Sequence, residues 1–340
     1  LRNAYLKTFP TDEEIAKIEN KNLTPEQIHE IVKKSEGNYK EITAFLNAHK
    51  EKNENLFLYS FLSSLSDKDL RDCEAETLDQ HLVEYDGKYP VCVFQKGILP
   101  ARIEVEMIRP WRQFLKENLS KILGTIPSYS AILEWTKANI QTDTEGNYFN
   151  CPISPRGVFE LRHADNRSRD IFFVAACRSM NIPAYLDNAT RQIFVYDNDK
   201  WQIVAMEDAK PVAKTGKLVL KYNGTDELKP QYWTHYTIAK FEDGDFTTFD
   251  YEDDPRVAEF PVELELEEGY YMLSTGNRYS DGEVLSHLEF FNIKQGETME
   301  REVKIRPLVQ REKEFYGFIS SDSQIEVDGK TINLNDLTKE

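Results

Sequence analysis

Ser168-Arg169-Asp170-Ile171-Phe172-Phe173-Val174-Ala175-Ala176-Cys177-Arg178-Ser179-Met180-Asn181-Ile182-Pro183-Ala184 reads as a helix that stops and turns toward a strand. Ile171 to Cys177 is the longest unbroken apolar run in the chain. A helix apolar on every side is a buried one, so the pattern predicts a core helix from about Arg169 to Met180. Asn181-Ile182-Pro183 ends it, because the residue before a proline is pushed toward extended backbone. Two strand-like segments follow, Gln192 to Tyr196 and Lys200 to Val204. Asp197-Asn198-Asp199 between them is a hairpin signal. At seven residues the apolar run falls far short of the roughly 20 that cross a bilayer.

Upstream of that stretch the chain is helical. Thr11-Asp12-Glu13-Glu14 is a capping box, and Thr24-Pro25-Glu26-Gln27 repeats it with proline at the first helical position. Ile28, Ile31 and Val32 give one apolar face, which Gly37-Asn38 is expected to end. Ile42, Phe45 and Leu46 start a second face. Leu58, Phe61, Leu62 and Leu65 make a third, and Leu78, Leu82 and Tyr85 a fourth. Val91-Cys92-Val93-Phe94 is a short apolar run that fits helix or strand. Pro110-Trp111 opens a helix closed by Gly124, and Tyr129 to Ile140 is an amphipathic helix. A loop through Asn147, Asn150 and Cys151 separates it from the core helix. Downstream of about residue 215 short alternating segments are punctuated by Asn223-Gly224, Asp243-Gly244 and Glu268-Gly269, as in a β-sandwich. Ile325 to Leu334 fits a hairpin with Asp328-Gly329 as its turn.

The chain has 340 residues, 40% hydrophobic and 12% aromatic, which excludes a disordered chain. Its net charge of −17, from 42 basic and 59 acidic residues, argues against nucleic acid or an anionic membrane as the main partner. Cys73, Cys92, Cys151 and Cys177 form no CxxC pair and no zinc spacing. His29, His49, His81, His235 and His287 are scattered, so no metal site is expected. The acidic stretch from Glu242 to Asp254 lacks the EF-hand loop pattern and reads as a solvated turn, with calcium as the alternative. Tyr222, Tyr232, Trp233, Tyr236, Tyr270 and Tyr271 fit either cross-strand packing or a carbohydrate platform.

The core stretch resembles the central helix of the transglutaminase-like, papain-like thiol superfamily, where a Cys opens a helix that runs through an apolar segment to Arg and Gly-Ile-Pro-Ala-Arg. Asn181 stands for that Gly and Tyr185 for the last Arg. Ala131 to Ile140 is similar to the helix that precedes it, and Phe194 to Val204 to the hairpin that follows it. The resemblance implies an α+β multidomain fold: a helical N-terminal region (1–125), a transglutaminase-like α+β core (126–214) and a prealbumin-like β-sandwich (215–308). A tail (309–340) similar to the lead-in of a thioredoxin-like domain completes it. Stretches such as Leu1 to Tyr5, Leu65 to Asp72, Ile153 to Val158 and Glu268 to Arg278 resemble secreted, multidomain transglutaminase-like proteins of Gram-negative gut bacteria. A periplasmic, cell-envelope or secreted location is the corresponding expectation.

That superfamily works with a thiolate, an imidazole base and a carboxylate or amide that orients it. Anchored on Arg178 and Trp201, the resemblance places the three at Asn166, Thr190 and Ala205. An amide is no nucleophile, and a hydroxyl is no base near neutral pH. Shifting the frame does not help, since no Cys lies between 152 and 176 and no His between 164 and 234. The implied function is that of a catalytically inactive protein, a pseudoenzyme rather than an enzyme, with no cofactor. It would hold a peptide or glycan around Asn166, Arg169, Thr190 and Trp201. The first alternative is a cysteine peptidase or acyltransferase with a relocated site at Cys151, His163 and Asp165. The second is a structural spacer for a C-terminal thioredoxin-like domain.

Overall fold

The computed structural model describes residues 2–143, 145–147, 149, 151–187, 189–206, 214–224, 228–242, 244–252, 254–279, 282–308, 320, 323–327 and 330–333. The N-terminal part is a run of short helices: α1 (Arg2–Leu6), α2 (Asp12–Ile15), α3 (Pro25–Lys34), α4 (Tyr39–Ala48), α5 (Leu58–Ser63), α6 (Asp67–Asp72), α7 (Ala75–Asp79) and α8 (Val91–Gly97). Thr11 with Glu14, Thr24 with Gln27 and Ser66 with Asp69 each close a full capping box, satisfying amides that the first turn leaves unpaired. Ile28, Ile31, Val32, Ile42, Phe45, Leu46, Phe61, Leu62 and Leu78 form one buried cluster. α3 ends at Lys34, before Gly37; Ser35 is its C-cap and Glu36 takes the left-handed φ of 47°. Leu82 and Tyr85 lie beyond the end of α7 and pack on the same cluster from the following loop.

α9 (Arg112–Leu123), α10 (Tyr129–Asn139), α11 (Pro155–Leu161) and α12 (Asn166–Ser179) surround a second core. α12 is buried along nearly its whole length, as its all-round apolarity requires. It begins at Asn166, three residues before the position predicted from hydrophobicity, because Asp165 caps it through the Ser168 amide. Trp111, Leu115 and Leu119 belong to this second cluster, so α9 packs with α12 rather than with the helices before it. β1 (Gln141–Thr142) and β2 (His163–Ala164) form a short parallel bridge. β3 (Ala184–Leu186), β4 (Ile193–Asp197) and β5 (Lys200–Val204) make an antiparallel sheet in that order. The β4–β5 turn is Asn198-Asp199, with φ of 50° and 59°, as a type I′ hairpin needs.

β6 (Thr215–Lys221), β7 (Tyr236–Glu242), β8 (Asp245–Thr248), β9 (Val262–Glu267), β10 (Gly269–Arg278), β11 (Val284–Ile293) and β12 (Thr298–Glu302) form two sheets, ordered β11-β10-β7-β8 and β12-β6-β9. Leu218, Leu220, Ile238, Val262, Leu264, Leu266, Tyr271, Leu273, Phe291 and Ile293 alternate inward from both sheets into a third core. β13 (Gln324–Val327) and β14 (Lys330–Asn333) pair as the expected tail hairpin, whose Asp328-Gly329 turn and Leu334 lie outside the described residues. The chain is therefore mixed α+β, helices first and sheets later. Among the described residues no helix is long and apolar enough to cross a membrane.

Candidate functional site

Asn166 is the first residue of α12, at the positive end of the helix dipole. Asp165 beside it accepts hydrogen bonds from the Ser168 amide at 2.9 Å, the Ser168 hydroxyl at 2.7 Å and the Asn147 side chain at 2.7 Å. Burial alone would raise the Asp165 carboxyl, but these bonds outweigh it and hold the group below its ordinary range.

A cavity of about 1190 Å³ lies against this helix end. Asn166, Arg169, Thr190, Trp201 and Ala205 all line it. The three positions expected for a triad are thus among the residues lining this one cavity, with Thr190 in the β3–β4 loop and Ala205 just after β5. Arg169 donates to Thr142 Oγ1 at 2.8 Å. Thr190 is fixed through its amide to Asp187 Oδ1 at 2.9 Å, while its own buried hydroxyl oxygen has no hydrogen-bond partner among the described residues. Trp201 packs edge-on to Tyr185 and Tyr196. The far wall comes from the β-sandwich: Lys240, Thr247, Thr248, Phe249, Leu266 and Glu267 among others. Gln192 bonds Glu267 at 3.0 Å and Arg256 bonds Asp187 at 3.0 Å, tying that wall to the core. No Cys and no His is among the described lining residues.

Glu104 was not singled out in the sequence, and it sits at the same site. Its side chain is 4% exposed and accepts from Arg167 Nε at 2.5 Å and from Arg191 Nη1. Arg167 and Arg191 directly follow Asn166 and Thr190, so an Arg-Glu-Arg bridge joins the helix end to the β3–β4 loop. The only sequence trace of it is a glutamate in an otherwise apolar segment, Ile103-Glu104-Val105. Nearby, Arg178 donates to the carbonyls of Ala184, Pro100 and Arg102 at 2.9, 2.9 and 2.8 Å. Arg112 donates to Ile98 O at 2.9 Å. Burial lowers Arg178 to about 10 and, with the charge of Arg178, Arg112 to about 9, so both stay charged at neutral pH. These two arginines pin the segment that carries Glu104.

The relocated set is held differently. Cys151 and His163 are exposed, and neither lines the cavity. The Cys151 thiol lies 3.5 Å from Phe149 O, and His163 Nδ1 lies 3.3 Å from Leu161 O. Asn147 bridges the Cys151 carbonyl and Asp165, at 2.8 and 2.7 Å. No hydrogen bond between the Cys151 thiol and the His163 ring is among the described ones. Cys177 is fully buried, and burial drives its thiol far up. Of the six candidate platform aromatics, Tyr232, Tyr236 and Tyr271 are buried in the sandwich core, while Trp233 and Tyr270 are exposed. In the acidic stretch Glu242 pairs with Lys240 and Asp254 with Arg256, while Asp243 and Asp253 lie outside the described residues. No group of three metal-capable side chains comes together among the described residues.

No family model and no curated protein matches the chain. A search of solved structures returns one described as "a Putative Cysteine Protease from Cytophaga hutchinsonii", at 15% identity. The alignment covers 53% of this chain and 51% of that one, with a TM-score of 0.26. This chain therefore spans about half the length of that protein. A TM-score at that level defines no common fold.

Proposed function

We propose that this chain is a catalytically inactive transglutaminase-like protein whose cleft binds a peptide or glycan at the bacterial cell envelope. One observation carries the reading. Asn166, Thr190 and Ala205 come from separate parts of the sequence and line one cavity at a helix N-terminus, where the described lining holds neither thiol nor imidazole. The division at 1–125, 126–214, 215–308 and 309–340, the prealbumin-like character of the sandwich and a following thioredoxin-like domain belong to the same proposal. The test is incubation of the chain with a peptidyl fluoromethyl ketone, followed by intact-mass measurement and peptide mapping. We expect no adduct. An adduct at Cys151 that excess peptide prevents would replace this reading with the relocated cysteine peptidase.

A further inference from the structure

We infer that the cleft takes an extended peptide by backbone pairing along the open edge of β5, an inference that rests on the binding role proposed above. Successive side chains of a strand point to opposite faces. A cavity against a sheet face is therefore lined by every second residue. This cavity is lined by all seven consecutive residues from 200 to 206 and also by Ile193 and Phe194 of β4, so it covers part of the sheet and reaches around to the β5 side. Among the described residues β5 has one neighbour, β4.

The outward-facing groups follow from the hairpin. The two-residue turn makes Asp197 and Lys200 a hydrogen-bonded pair, and bonded and non-bonded pairs then alternate. Tyr196 opposite Trp201 and Phe194 opposite Ile203 are thus non-bonded pairs. The Tyr196 amide independently agrees, since it donates to Pro183 O at 2.9 Å, on the β3 side. The N–H and C=O of Trp201 and Ile203 accordingly point away from β4, toward the cleft. Neither residue makes a described backbone hydrogen bond outside the ladder. The Ile203 side chain beside them is exposed. Exposed strand edges are normally blunted by Pro, charge or cover. Here β5 carries no Pro, and its one charge, Lys200, sits at the turn end, leaving Trp201-Gln202-Ile203-Val204 uncharged.

The lining also selects against other ligands. Five basic and five acidic side chains line the cavity, which favours no charged polymer. Phe194 stacks on Tyr185 at 4.8 Å, and Trp201 is wedged against Tyr185 and Tyr196. These rings are engaged with one another rather than laid open for sugar stacking. A five-residue strand spans roughly 17 Å, enough to pair with about five residues of extended peptide.

The test is fluorescence anisotropy of the full chain with a labelled Thr-Val-Thr-Val-Thr-Val peptide. Two versions N-methylated on alternate residues, one in each frame, and chitohexaose as an unlabelled competitor complete the set. We expect saturable binding of the plain peptide and a loss of about tenfold or more for one methylated frame only. Ile203→Pro removes an outward N–H and no ladder bond, and should weaken binding to a similar extent. If that variant fails to fold, the two methylated frames decide alone. Equal binding of both methylated frames overturns the pairing. So does a dimer, seen by sedimentation, that the peptide dissociates, because it would give the edge to a second copy. Binding of chitohexaose without the peptide overturns the pairing and leaves the binding role standing. Binding of neither probe counts against both.

Discussion

Arg167 donates to Glu104 at 2.5 Å, directly beside Asn166 at the start of α12. Glu104 also accepts from Arg191, so one buried carboxylate fastens both rims of the cleft. Glu104→Gln leaves two guanidinium groups without their counter-charge. Arg191 is 48% and Arg167 22% exposed, so both can be solvated once the carboxylate is gone, and the loss should be about 1 kcal/mol rather than that of a fully buried pair. A denaturant titration of wild type and variant should show a loss of that order, and a change below about 0.5 kcal/mol would mean the bridge is ornamental.

His81 is fully buried, with Nε2 3.0 Å from Arg109 O and the ring against Trp111. Burial first, and then the charge of Arg112, push its pKa down to about 3. The unfolded chain therefore binds the proton more readily between about pH 6.5 and pH 3, and stability falls as pH is lowered through that window. Between pH 7 and 5.5 this one group removes about 1 kcal/mol. His81→Phe should show a loss smaller by that amount over the same range. Identical pH dependence in the two proteins would show that His81 is not buried neutral.

A methyl group on Gly97 would sit 2.7 Å from Pro183 Cβ, 2.8 Å from the Trp201 ring and 3.0 Å from Pro183 Cα. α8 rests on the core sheet through that contact. Gly97→Ala should destabilise by about 2 kcal/mol, because a proline backbone cannot give way. Unchanged thermal unfolding would mean that α8 and the sheet do not meet as described.

Cys92 and Cys151 are exposed, while Cys73 and Cys177 are buried. Burial raises the Cys73 thiol to about 11. Titration with a chromogenic disulfide at pH 8 should show two fast thiols in the folded chain and four after denaturation.

Asn166→Cys places a thiol at the first position of α12, where the helix dipole favours a thiolate. The pH profile of its alkylation by iodoacetamide should fall about one unit below that of free cysteine. A coincident profile would remove this helix end as an electrostatically prepared position.

Much of this was legible in the residues. The capping boxes at Thr11 and Thr24, the all-round apolarity of Ile171 to Cys177 and the Asp197 to Lys200 turn each act within a few residues, and local rules suffice for them. The start of α12 was misread because Asp165 and Ser168 are polar and add nothing to a hydrophobic pattern, although together they form the cap. The end of α3 was misread because Glu36, not Gly37, takes the left-handed backbone. Glu104 was missed for a different reason. Its partners lie 63 and 87 residues downstream, and nothing in the local sequence joins them. The tyrosines of the sandwich were ambiguous, since the same alternation serves a core and a surface until one face is seen to be covered.

The Arg256–Asp187 and Gln192–Glu267 contacts span two parts of the molecule that each have their own hydrophobic core. The cleft exists only while those parts stay docked. Occupancy of the cleft and docking of the sandwich are therefore thermodynamically linked, with each strengthening the other. A ligand seated there would act as a clasp between the two parts.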